Sequence, residues 1–101
     1  MKAFLIIPEQ RSIEAIDIAD RDEIAKIIGF ETIESDAIGT GSDRLHFDEE
    51  CFLRGTGSRF QVDNLIPISG KAVVVGVAGD GATLCDAAVD IESLRGRIKY
   101  G

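Results

Sequence analysis

The chain has 101 residues, 45% hydrophobic and 29% charged, with a formal net charge of −7; the length fits one domain and the apolar share excludes a disordered chain. A negative field repels phosphate backbones and anionic bilayers, and no stretch nears the ~20 apolar residues of a spanning helix, so neither nucleic acid nor membrane is an expected partner. Cys51 and Cys85 stand apart from each other, without CxxC spacing or a histidine cluster, which argues against a zinc site and a disulfide framework.

The run Lys2 to Ile7, closed by Pro8, predicts a buried strand and is too short for a signal-peptide core; a reducing cytoplasm is the expected compartment, and no cofactor is expected. Ser12 to Ile18 predicts a second strand, paired to the first across residues 9–11. Its apolar residues split, Ile13 and Ala15 to one face, Ile16 and Ile18 to the other, so either both faces are partly covered or a bulge shifts the register. Asp20 then caps a helix over residues 21–28, with Glu23 at the capping-box position and Gly29 as the stop. Ile24, Ile27 and Ile28 share its inner face.

Residues 31–38 predict a third strand. Residues 44–48 predict a fourth, with Leu45 and Phe47 inward and Arg44, His46 and Asp48 outward. Residues 51–53 are read as a short strand or a turn of helix, 59–63 as a strand with Phe60 and Val62 inward, and 64–70 as a loop. Lys71 to Val77, with three consecutive valines, predicts a central strand covered on both sides. Asp80-Gly81 is a hairpin signal leading to a strand over 82–86. Asp90 caps a last helix carrying Ile91, Leu94 and Ile98. Gly96 weakens that helix by about 1 kcal/mol, so the final residues are expected to leave it as an extended tail. The fold class expected is α+β: a mostly antiparallel sheet of five or six strands with two short amphipathic helices, residues 1–101 forming one domain.

Two segments echo each other, Gly39-Thr-Gly-Ser before Arg44, His46 and Asp48, and Gly55-Thr-Gly-Ser before Arg59, Gln61 and Asp63. If the two strands are neighbours, six polar side chains share one sheet face. The two arginines would offer forked donors to a small anion, and His46 a proton carrier near neutral pH. The competing reading is a solvated face laced with cross-strand ion pairs. A lone histidine cannot build a common zinc site, yet His46 could act as a general base beside Asp48 or Asp63. The Gly-Thr-Gly-Ser turns precede strands, not helices, which argues against phosphate loops. Ser69-Gly70-Lys71 likewise leads into a strand and lacks the preceding glycine of a P-loop.

The segments Lys2-Ala3-Phe4-Leu5-Ile6, Arg44-Leu45-His46-Phe47-Asp48-Glu49-Glu50, Pro67-Ile68-Ser69-Gly70-Lys71-Ala72-Val73-Val74-Val75-Gly76 and Asp90-Ile91-Glu92-Ser93-Leu94-Arg95-Gly96-Arg97-Ile98 together resemble the family called domain of unknown function 3846. The resemblance implies a small stand-alone protein of bacteria, phages or other mobile elements, and it carries no catalytic residues. The expected function is a binding or regulatory module acting through protein contacts. The alternative is a binder of a small anionic ligand through Arg44, His46, Asp48, Arg59, Gln61 and Asp63. A weaker alternative is a small hydrolase or transferase with His46 as base.

Overall fold

The computed structural model describes residues 1–39, 41–51, 53, 58–63, 65–81 and 83–100. Lys2–Ile7 (β1) pairs antiparallel with Ser12–Asp17 (β2) in one-to-one register from Lys2↔Asp17 to Ile7↔Ser12. There is no bulge. Ile13 packs on one side of this hairpin while Ile16 and Ile18 pack on the other, so both faces are covered. The connection is a 3-10 turn over Pro8–Gln10, opened by a proline whose missing N–H costs nothing there. It is closed by Arg11 at φ +50°, whose N–H reaches the Pro8 carbonyl at 3.1 Å.

The helix Arg21–Ile28 (α1) starts and stops where its caps dictate. The Asp20 carboxylate accepts from the Glu23 N–H at 3.1 Å, and Gly29 turns left-handed at φ +94°. Ile33–Ala37 (β3) and Asp43–Asp48 (β4) follow, then Arg59–Val62 (β5), Ile68–Ser69 (β6), Ala72–Val77 (β7) and Leu84–Cys85 (β8). The helix Ile91–Arg97 (α2), capped by Asp90, runs directly into Ile98–Tyr100 (β9). The weak last turn at Gly96 thus does release an extended tail, and that tail is a paired strand.

The strands form two antiparallel sheets. The larger has the order β2-β1-β7-β4-β3, and β8 pairs with the far end of β7 beyond the reach of β1. The smaller has the order β6-β5-β9. The fold is α+β and mostly antiparallel, as the strand and helix patterning predicts. The division into two sheets is not predicted, and the expected loop 64–70 contains β6. Of the expected strand 82–86, Ala82 lies outside the described residues, and Leu84–Cys85 pair with Val77 and Gly76 of β7.

Strand β7 is the centre. Val73, Val74 and Val75 are fully buried, each worth about 1.5–3 kcal/mol of burial. Val73 and Val75 meet Ile24 and Ile28 of α1. Val74 faces the opposite core, where Phe60, Val62 and Ile68 of the small sheet join Leu94 and Ile98. The molecule is therefore layered: α1, the large sheet, then the small sheet with α2. Gly76 interrupts the valines because a Cβ there would lie 2.5 Å from the Asp86 carbonyl oxygen and 2.8 Å from Cys85 Sγ. Asp43 fastens the same region, its two carboxylate oxygens accepting from the Ala88 and Val89 N–H groups at 2.7 and 2.9 Å.

Candidate functional site

The six polar residues of the two echoed strands do not share a face. Strand β4 lies in the large sheet and β5 in the small one. Nor is the polar side of β4 solvated, because α1 covers it. His46 is 1% exposed and Asp48 3%. Period-two alternation marks which residues share a face; it cannot tell a face open to water from one roofed by a helix.

Each residue of the expected site has a structural setting of its own. Arg44 donates through Nε to Ser35 Oγ at 2.9 Å and through Nη2 to the Ser35 carbonyl at 2.8 Å. Asp48 accepts from Thr32 Oγ1 at 2.5 Å and from the Glu50 N–H at 3.1 Å. Gln61 Nε2 donates to the Leu65 carbonyl at 2.8 Å. Asp63, left-handed at φ +50°, takes a two-pronged bond from Nε and Nη2 of Arg97; this pairing holds its carboxyl below the usual range. Arg59 is exposed. Burial lowers the His46 pKa and the positive charge of Arg21 adds to this; the backbone of Val73 and Arg44 acts the other way, and the Arg44 charge lowers it least. Neither ring nitrogen makes a hydrogen bond of good geometry among the described residues. His46 is thus a neutral core imidazole at pH 7.

The glycine-turn residues Thr40 and 55–57 lie outside the described residues. Of the cysteines, Cys51 is buried and Cys85 half-buried, and both are free thiols. Among the described residues no group of three metal-ligating side chains occurs, and no helix is long and apolar enough to cross a membrane.

Concave surface occurs at the end of α1. Gly29 ends the helix with its N–H on the Ala25 carbonyl at 2.8 Å, and this reversal throws Phe30 outward, leaving it 36% exposed. One cavity of about 470 Å³ lies between Phe30 and Ile28 on one wall and Ile7, Pro8, Gly70 and Lys71 on the other. A shallower cavity of about 640 Å³ is lined by Phe30 together with Asp22, Lys26 and Glu31. Beneath the first is a small recess of about 20 Å³, where Asp48, Cys51 and Ser69 approach Phe30. The opposite wall is shaped by Gly70 at φ +84°, whose N–H reaches the Ser58 carbonyl at 3.3 Å. Phe30 is the common element of all three. Its sequence signal is an apolar residue directly after a helix-stopping glycine, a position that usually packs back on the helix.

The chain matches no protein-family model, no curated protein and no solved structure.

Proposed function

We propose that the chain is a non-catalytic binding module of the reducing cytoplasm, and that it holds an extended segment of a partner protein in the cleft around Phe30. The observation that carries this reading is the pair of adjoining cavities that share the Phe30 ring. Two cavities that share one aromatic lining residue suit an extended chain with an apolar anchor. Ile7, Pro8 and Ile28 supply the apolar wall, and Glu9, Asp22 and Glu31 outnumber Lys26 and Lys71 on the rim. With a net charge of −7 behind them, these acids favour a basic segment.

The readings built on His46 and on the paired polar strands have less support. A general base must reach its substrate, and His46 is buried under α1. An anion cannot bridge Arg44 and Arg59 as one sheet face when the strands belong to different sheets. The resemblance to domain of unknown function 3846, with its mobile-element setting, is compatible with a small interaction module and adds no residue to the site.

Selection of random peptides on the wild-type chain, followed by fluorescence anisotropy and amide-shift mapping, tests the proposal. The expected winners carry a bulky apolar residue flanked by lysine or arginine and perturb Ile28, Phe30, Gly70 and Lys71. Phe30→Asp should weaken them at least tenfold, about 1.4 kcal/mol. Peptides that map to another surface, or that bind Phe30→Asp equally well, would refute it.

A further inference from the structure

A second concavity lies on the other side of the Pro8–Gln10 turn. Its wall is Arg11, which closes the turn, with Ser12 and Ile13 at the start of β2, Arg95 on α2 and Tyr100 on β9. The volume is about 370 Å³, within the range of small-molecule sites. In a chain with 18 acidic and 11 basic side chains, this cavity is lined by two arginines and no acid. Arg95 is engaged by Glu92 through Nη1 alone, in an exposed pair one helical turn apart.

Both arginines bear on Tyr100. Burial raises its phenol pKa, while Arg95 and Arg11 both act to lower it. Both guanidinium groups are therefore felt at the same hydroxyl. Arg11 is set in place by its left-handed backbone at φ +50°, and Ile13, 7% exposed, gives the cavity an apolar side.

We propose that this cavity binds a small phosphate monoester, with Arg11 and Arg95 holding the phosphoryl oxygens, the Tyr100 hydroxyl donating to them, and Ile13 and the Tyr100 ring bordering the organic group. A phosphate monoester carries a charge of about −1.5 to −2 at neutral pH, which two forked cations match better than they match a carboxylate. The cavity exceeds what a bare phosphate ion fills, so the organic group adds affinity.

Amide-shift titration of the full chain with inorganic phosphate, phenyl phosphate and benzoate tests this. Phenyl phosphate should perturb Arg11, Ser12, Ile13, Arg95 and Tyr100 and bind at least fivefold more tightly than either inorganic phosphate or benzoate. Arg95→Gln, which keeps the helix, and Arg11→Gly, which keeps the left-handed backbone, should each weaken phenyl phosphate about tenfold. Arg59→Ala should leave it unchanged. The proposal is overturned if benzoate binds as well as phenyl phosphate, if inorganic phosphate does, if shifts spread over unrelated basic residues, or if either arginine variant binds normally while its spectrum shows the native fold.

Discussion

His46 has an ordinary composition cue and an unusual setting. Its lowered pKa means that the folded chain resists a proton which the unfolded chain accepts near pH ~6.5. The sign follows from linkage: stability contributed by the neutral ring is fully present above the unfolded value and is lost as pH falls from there toward the depressed folded value. The urea midpoint should therefore drop between pH 7.5 and 5.5, by at most about 1.4 kcal/mol per pH unit. His46→Leu should remove that slope and leave the protein at least as stable at pH 7.5, since it deletes two buried ring nitrogens that make no hydrogen bond of good geometry among the described residues. An unchanged slope would show that another group titrates. The carboxyls of Asp63 and Asp90, also lowered, lose their contribution only in more acidic solution and do not confuse the comparison. Arg44 is equally instructive: it looks like an anion ligand in the sequence, and it serves its neighbouring strand instead.

That service belongs to the scale of the elements. The Ile38 N–H bonds to the Asp43 carbonyl and the Glu49 N–H to the Thr32 carbonyl, so the even-numbered residues of β3 face β4 and the odd-numbered ones turn their backbone outward. This is an edge strand, a hazard for strand-to-strand association. The Arg44 guanidinium occupies the outward Ser35 carbonyl, and Glu34 Oε1 takes the Ser35 N–H at 3.1 Å. Arg44→Ala should cost only about 1–2 kcal/mol but raise self-association, read as light scattering at high concentration; scattering equal to wild type would remove the edge-guard role. Gly76 is the described glycine whose Cβ position is most closely approached by other atoms. Gly76→Ala should destabilise by about 1–3 kcal/mol, because backbone rather than a pliable side chain meets the new methyl. Thermal unfolding checks this, and a change under half a kcal/mol would mean that β8 simply moves away.

The architecture of the whole molecule was partly legible in the residues. Asp20, Glu23 and Gly29 mark both ends of α1, and three valines in a row mark the two-sided central strand, because caps and β-branched burial are local chemistry. The partition into two sheets was not legible. Arg59 to Val62 alternates as regularly as Arg44 to Asp48, and alternation does not say which neighbour a strand hydrogen-bonds. The binding surfaces were missed for a related reason: the Phe30 cleft and the Arg11–Arg95 cavity are assembled from residues far apart in sequence, and only packing brings them together. The placement of β7 between β1 and β4 has a further consequence, in time. Phe4 pairs with Val74 across 70 positions of chain, so β1 and β4 each wait with an unpaired inner edge until β7 is made. At ~5–20 residues per second that wait lasts about 4–14 s for β1, and about 1.5–6 s for β4, whose Leu45 pairs with the same Val74, during synthesis. Refolding of the full chain should accordingly fall in the millisecond-to-second range of non-local sheets, as stopped-flow fluorescence of Tyr100 can measure. A fragment ending at Lys71 should aggregate rather than fold, and a folded, monomeric fragment would show that the two outer hairpins need no keystone.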